Sequence, residues 1–96
     1  MVSTKEIKNI LKEAMHPELN KNFFDLAMIR KVTLKDDKVI VILAVPFLHV
    51  PVKDELIKII KDIIKKNKDI KVEVAVEEMN SDEKKIFGTM VKKIRS

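Results

Sequence analysis

The chain contains no cysteine among its 96 residues. Without a thiol it cannot form a disulfide, hold a metal through a thiolate, or attack a substrate with a cysteine nucleophile. Tryptophan and tyrosine are also missing, and there are only four phenylalanines. Most of these fall on predicted apolar faces, so recognition of single-stranded nucleic acid by aromatic stacking has little support.

Glycine is almost as scarce, because Gly88 is the only one in the chain. Glycine-rich phosphate loops and dinucleotide-binding motifs are therefore excluded. The three serines, Ser3, Ser81 and Ser96, lie at predicted helix caps or at the terminus, which leaves no obvious place for a serine nucleophile. We expect no catalytic residues, no enzymatic activity and no cofactor.

Long hydrophobic runs are missing as well. No apolar stretch approaches the roughly 20 residues that span a bilayer, and the N-terminal MVSTKEIKN has no apolar core. We expect a cytoplasmic protein that does not contact a membrane. The length predicts one small domain covering residues 1–96.

Charge of both signs is abundant, with 20 basic and 15 acidic residues and a net charge of +5. Abundant lysine, glutamate and isoleucine with little arginine is typical of heat-adapted proteins. The main alternative function is nucleic-acid binding through lysines of two predicted helices: Lys58, Lys61, Lys65, Lys68, Lys84, Lys85, Lys92 and Lys93. Asp54, Glu55 and Asp62 interrupt this basic surface, which favours an ordinary solvated helix face.

Hydrophobic periodicity predicts the element order α-β-β-α-β-α. Capping-box patterns at Ser3/Glu6 and Asn80/Glu83 predict the starts of the first and last helices. The first helix is predicted over residues 4–15, and Pro17 ends it. The segments MIRKVTL and KVIVILAV predict a hairpin whose second strand is central, because that strand is apolar on both faces. A helix from Val52 to about Asn67 and a half-exposed strand from Ile70 to Val76 follow. We therefore predict a two-layer α/β (α+β) domain, with helices mainly on one face of a small mixed sheet.

The segment VPFLHVPVKDEL, Val45 to Leu56, has prolines on either side of four other residues. Prolines remove N–H donors and fix the backbone, so neither strand nor helix continues until after Pro51. Phe47, Leu48 and Val50 are large apolar residues in this proline loop, which we define as residues 46–51. In one interpretation these residues form an exposed surface that binds a partner or a second copy of the chain. In the other, Phe47 and Leu48 fold back over the edge of the sheet.

Two earlier patches resemble a known family. HPEL, His16 to Leu19, is similar to an Asp-Pro-Glu-Leu patch, and NFFDLAMI, Asn22 to Ile29, to an Asn-Ile-Val-Asp-Leu-Gly patch that enters the first strand. Both patches occur in the small metal-sulfur cluster biosynthesis domain family, which includes PaaD-like and SUF-associated proteins and the N-terminal domain of Mrp-type cluster-carrier ATPases. His16 replaces the family's aspartate and Ala27 its glycine.

The family's third patch is a Gly-Cys-Pro loop before the second helix. Alignment on Pro51 puts Val50 at the cysteine and His49 at the glycine. The resemblance therefore implies the fold and a protein-protein role in cluster assembly, but not a cluster held by that cysteine. The implied partners are an iron-sulfur carrier ATPase or proteins that receive clusters.

The resemblance makes seven residues candidates for partner binding: Glu18, Asn22, Asp25, Phe47, Leu48, His49 and Val50. Asp25 and Glu18 have an alternative role, since a carboxylate near a turn commonly accepts local backbone N–H bonds. His16 and His49 lie far apart in sequence without metal-ligand spacing, so we expect no metal site and interpret both as surface or loop histidines.

Overall fold

A computed structural model describes residues 2–49 and 51–95, without the side chain of Arg95. The elements follow the predicted order: α1 (Thr4–Leu11), β1 (Ile29–Lys35), β2 (Lys38–Val45), α2 (Lys53–Asn67), β3 (Lys71–Glu78) and α3 (Ser81–Arg95). The predicted fold class is confirmed.

The three strands form one sheet in the order β1-β2-β3. β1 and β2 are an antiparallel hairpin joined at Asp36 and Asp37, and Asp36 takes a φ of 55° to make this short turn. β3 runs parallel to β2, as expected for strands joined by a crossover helix. β2 is therefore central, as its two apolar faces predicted.

The core lies between the sheet and the first two helices. α1 contributes Ile7 and Leu11, and α2 contributes Leu56, Ile60 and Ile64 at the spacing of one helix face. α1 and α2 contact each other, while α1 also contacts β1 and α2 contacts β3. The central strand supplies the densest part of the core, since Val39, Val41, Leu43, Ala44 and Val45 are all fully buried.

The prediction that the first helix reaches residue 15 is wrong, because α1 ends at Leu11. The N–H groups of Glu13 and Ala14 donate to carbonyls only three residues earlier, which tightens the last turn. Met15 then forms an isolated antiparallel bridge with Asn22 and is 41% exposed. Its position in the helical pattern was therefore misleading.

The last helix, α3, begins with the predicted capping box. The N–H of Asn80 donates to Oε1 of Glu83, and the N–H of Glu83 donates to Oδ1 of Asn80, both at 2.9 Å. The apolar side of α3 is only partly buried against the core, and Ile86 is 50% exposed. α3 thus packs more loosely than α1 and α2.

Candidate functional site

The first family segment is organised by the side chain of His16, which is only 5% exposed. Its Nδ1 accepts the backbone N–H groups of Glu18 (3.1 Å) and Leu19 (3.3 Å). The backbone of His16 also closes the loop, since its N–H donates to the carbonyl of Lys21 and its carbonyl accepts the N–H of Asn20. The imidazole therefore acts as the local acceptor that a carboxylate would provide at the family's aspartate position.

Burial lowers the pKa of His16 from its ordinary value, because desolvation disfavours the imidazolium. The carboxylates of Glu18 and Glu55 act in the opposite direction but have less influence. A neutral ring also fits the hydrogen bonds, since Nδ1 can accept only when it is deprotonated. His16 is thus a buried structural residue of a loop, which agrees with the loop alternative and not with the surface one.

The second family segment is a single turn from Asn22 to Met28. Oδ1 of Asn22 accepts the N–H of Asp25 (2.9 Å) at its start, as an N-cap does. At its end the N–H of Met28 donates to the carbonyl of Phe23, and that of Ala27 to the carbonyl of Phe24. This pair of bonds is a Schellman motif, which requires a left-handed residue, and Ala27 has a φ of 58°. The family's glycine at this position therefore has a clear conformational reason.

The carboxylate of Asp25 is used locally. Its Oδ2 accepts a hydrogen bond from Nδ2 of Asn22 (3.2 Å), and the side chain is exposed. Glu18 is exposed as well, and its backbone N–H is bound by His16. The structure shows a turn-organising role for Asn22 and Asp25, while partner binding by these residues stays a prediction.

The described part of the proline loop presents two apolar residues to solvent. Phe47 is 55% exposed and Leu48 is 45% exposed, so these side chains do not fold back over the sheet edge. His49 is exposed beside them. Val50, the fourth candidate in this loop, lies outside the described residues.

The three family segments converge on one end of the sheet. The N–H of Ala44, at the end of β2, donates to the carbonyl of Met28 (2.8 Å), and the proline loop leaves β2 one residue later at Val45. Glu55, in the first turn of α2, is close enough to His16 to act on it electrostatically. The ring of His16 also packs edge-on against that of Phe23, with the ring centroids 6.3 Å apart. Six of the seven predicted site residues are therefore in described segments at this end, which we call the loop end.

The described residues form no comparable arrangement for metal binding, and part of the predicted nucleic-acid surface is already paired. Within residues 2–49 and 51–95 no group of three or more histidine, aspartate or glutamate side chains is placed to hold a metal ion. In the same part of the chain no helix is long and apolar enough to cross a membrane. Two lysines of the predicted basic surface already meet carboxylates, since Lys68 pairs with Glu6 (2.7 Å) and Lys84 with Glu78 (3.1 Å).

Sequence reasoning missed one contact that joins distant elements. The guanidinium of Arg30 binds the carboxylates of Glu77 and Glu83, and its Nη2 donates to the carbonyl of Glu78 (2.8 Å). Arg30 thereby joins the start of β1 to the end of β3 and to α3, and it holds the pKa of Glu83 below its ordinary value. No local signal marks such a contact, because its partners are 47 to 53 residues away.

Comparisons with known proteins agree with this geometry. A solved structure described as a domain of unknown function, DUF59, from Bacillus anthracis superposes with a TM-score of 0.73. The two chains are 15% identical, and the match covers 83% of this chain and 81% of the other, so the likeness concerns the fold. A search of curated proteins finds no match.

A family model described as "Iron-sulfur cluster assembly protein" matches residues 4–76, which include all three family segments. The last two residues of β3 and the whole of α3 lie beyond it. The resemblance predicted from the sequence patches is thus confirmed. The chain belongs to the iron-sulfur cluster assembly protein family, and this membership supports a role in cluster assembly.

Proposed function

We propose that the protein is a non-catalytic accessory or scaffold in iron-sulfur cluster assembly and acts by contact with a carrier or recipient of clusters. The observation that carries this proposal is the exposure of Phe47 and Leu48 beside the family segments at the loop end. An aromatic and an aliphatic side chain in water gain free energy when a partner covers them. The loop end is therefore the surface we assign to the partner.

The backbone around these side chains favours binding. Pro46 and Pro51 restrict the loop, so less conformational entropy is lost when a partner orders it. The Asn22–Asp25 hydrogen bonds and the His16 contacts fix the two neighbouring segments. A largely preformed surface of this kind suits a protein-protein contact better than a reaction on a small substrate.

The composition bears on how a cluster would be handled. A cysteine-free chain offers no thiolate, which is the usual protein ligand for iron-sulfur clusters. The cluster would then stay on the cysteines of the partner, and this protein would bind the partner as a scaffold. This mechanism also accounts for a family member in which valine occupies the family's cysteine position.

An affinity pull-down from lysate of the source organism, under anaerobic conditions, tests the proposal. The tagged wild type is compared with a Phe47→Ser/Leu48→Ser variant at low and moderate salt, and partners are identified by mass spectrometry. We expect the wild type to recover a cluster carrier ATPase or cluster-containing proteins at both salt concentrations, and the variant to lose them. Both substitutions are at exposed positions, so the fold is expected to remain intact.

A matched control separates this function from nucleic-acid binding. A Lys58→Glu/Lys61→Glu/Lys65→Glu variant changes the exposed side of α2 and leaves the proline loop untouched. Under our proposal it recovers the same partners as the wild type. Recovery of nucleic acid alone, lost at moderate salt and in the lysine variant, would instead identify the protein as a nucleic-acid-binding module.

A further inference from the structure

The outer edge of β3 is an unpaired strand edge. β3 lies at one side of the sheet and pairs with β2 alone in the described part of the chain. Its eight residues, KVEVAVEE, keep a continuous register with β2 and include neither proline nor glycine. Such an edge is a template for another strand unless features of the sequence prevent pairing.

The ladder with β2 determines which groups face outward. The N–H of Lys71 donates to the carbonyl of Asp37 (3.2 Å), and that of Met79 donates to the carbonyl of Val45 (2.7 Å). Alternate residues of a parallel strand bind the same neighbour, so the odd-numbered residues of β3 face β2. The N–H and C=O groups of Val72, Val74 and Val76 therefore point away from the sheet.

At each end of this edge one backbone group is already bonded. At one end the N–H of Ile70 donates to the carbonyl of Lys68 (3.0 Å). At the other end the carbonyl of Glu78 accepts from Arg30 (2.8 Å). The stretch in which both outward groups of each residue are open is thus the three valines, which together offer three donors and three acceptors.

We propose that two copies of the chain pair through β3, antiparallel, with the two-fold axis at Val74. In this register Val74 lies opposite Val74 of the second copy, and Val72 lies opposite Val76 of the second copy. The six outward donors and six acceptors of the two copies then form six hydrogen bonds. On the solvent-facing side of the sheet Lys71 lies opposite Glu77 of the second copy, twice by symmetry, so a second cation approaches the carboxylate that Arg30 of its own chain already binds. The result is a continuous six-stranded sheet.

Neighbouring registers are less favourable. A centre at Ala75 places Glu73 opposite Glu77 of the second copy and requires the carbonyl of Glu78, which Arg30 already occupies. A centre at Glu73 places the two copies of Glu73 against each other. Registers shifted by a single residue from any of these would place core-facing side chains of one copy opposite solvent-facing side chains of the other. Charge and hydrogen bonding thus favour the centre at Val74.

The other sheet edge, β1, does not offer an equivalent surface. Its register is interrupted between Ile29 and Lys31, and such an irregularity hinders pairing at an edge. Its charged residues, Arg30, Lys31 and Lys35, are all basic. Self-pairing of β1 would therefore bring like charges together, whereas β3 has complementary charges.

Single cysteines test the register directly, because the natural chain has none. In the proposed dimer the Cα atoms at position 74 are about 5.5 Å apart, a distance that a disulfide spans. Those at position 76 are about 14 Å apart, since they are offset by four residues along neighbouring strands. We expect mild oxidation to convert Val74→Cys into a covalent dimer and to leave Val76→Cys monomeric. A monomeric Val74→Cys, or equal crosslinking of the two variants, would overturn the proposal.

Charge exchange provides a second test by sedimentation over a concentration series. Lys71→Glu and Glu77→Lys each place like charges opposite one another and are expected to weaken dimerisation at least about tenfold. The double variant should recover much of the affinity, whereas Lys31→Glu on β1 should leave it unchanged. A wild type that stays monomeric throughout, or a Lys71→Glu variant that dimerises like the wild type, would contradict the pairing.

Discussion

At the scale of single residues, a buried histidine replaces a family aspartate without loss of the hydrogen bonds that the loop needs. Nδ1 of His16 accepts two backbone N–H groups, which only an unprotonated ring nitrogen can do. A carboxylate at this position would accept the same bonds and stay ionised at neutral pH. The substitution therefore makes the stability of this loop depend on pH near neutrality.

We predict that the free energy of unfolding falls as the pH is lowered from about 7.5 to 5.5. The folded-state pKa of His16 lies below its ordinary value of 6.5, so on acidification the unfolded chain takes up this proton first. The stability that the neutral His16 provides is fully present above pH 6.5 and is lost as the pH falls towards the lower folded-state pKa of this residue. For one proton the slope is at most about 1.4 kcal/mol per pH unit. Urea denaturation at a series of pH values measures it.

Two variants isolate the cause of this dependence. His16→Asp restores the family's residue and should flatten the profile, because a carboxylate of pKa about 3.9 does not titrate over this range. His49→Gln removes an exposed histidine and should leave the profile as in the wild type. A slope that persists in His16→Asp would show that another group causes it.

Ala27 occupies a backbone conformation that disfavours alanine. At a φ of 58° the Cβ of a residue destabilises the folded state by about 1–2 kcal/mol. Glycine avoids this strain, but part of the gain is offset because glycine has more conformational entropy in the unfolded chain. We predict that Ala27→Gly raises the free energy of unfolding by about 0.5–1 kcal/mol in chemical denaturation. Ala75→Gly, in a strand with negative φ, should lower it by a similar amount. Destabilisation by both substitutions would argue against the strained turn.

These residue details were only partly accessible from the sequence. The patches around Pro17 and Asn22 identified the family, but the burial of His16 depends on Phe23 and α2, which periodicity does not place. The strain at Ala27 follows from the Schellman bonds, which local propensity would not suggest for an alanine. The sequence was compatible both with exposure of Phe47 and Leu48 and with their packing over the sheet edge, and only the three-dimensional structure distinguished these alternatives.

At the scale of elements, α3 is attached by few strong contacts. Its apolar side is half-buried, and Arg30 joins its first turn to the sheet through Glu83. The helix also lies beyond the part of the chain that the family model matches. α3 is therefore the element whose attachment should respond most clearly to single substitutions.

We predict that Arg30→Met loosens α3. Loss of the contacts to Glu83, Glu77 and the carbonyl of Glu78 should destabilise the attachment by about 1 kcal/mol, because these groups are partly exposed and screened by water. Hydrogen exchange should then be faster in residues 81–95 than in the wild type. Lys38→Met breaks an exposed pair with Glu73 and is the control, with no change expected in α3. Unchanged exchange in Arg30→Met would mean that apolar packing alone holds the helix.

Gly88→Ala is expected to have the opposite effect on the same helix. Gly88 is in the middle of α3, and a Cβ at this position would meet no atom within 4 Å apart from its chain neighbours and the adjacent helix backbone. Alanine in a helix interior is favoured over glycine by about 0.5–1 kcal/mol. Thermal unfolding should therefore show a higher Tm, and slower exchange in α3 would locate the gain. A lower Tm would indicate that the helix requires the flexibility of glycine.

Element order and type could be predicted from the sequence where the hydrophobic pattern was long and regular. β2, α2 and β3 were found within one or two residues, and the Asn80/Glu83 capping box formed as predicted. The end of α1 was misplaced because Ala14 and Met15 continue the apolar pattern while the backbone already turns towards Asn22. The Arg30 contact depends on tertiary structure and could not be predicted.

At the scale of the whole molecule, separate surfaces serve the two proposed contacts. The partner surface is the loop end, which combines three family segments with the exposed side chains of Phe47 and Leu48. The self-association surface is the outer edge of β3, centred on Val74. Each proposal can therefore fail without the other, since the variants that test them lie on different elements.

The most direct test of the proposed function is the cluster content of a recipient protein. A recipient identified by the pull-down is purified anaerobically from cells of the source organism, and its iron and sulfide per chain are measured. We predict that deletion of this protein and replacement by Phe47→Ser/Leu48→Ser lower the content to the same extent. The Lys58→Glu/Lys61→Glu/Lys65→Glu variant should preserve it. Full cluster content with a folded, expressed loop variant would contradict a function through the loop end.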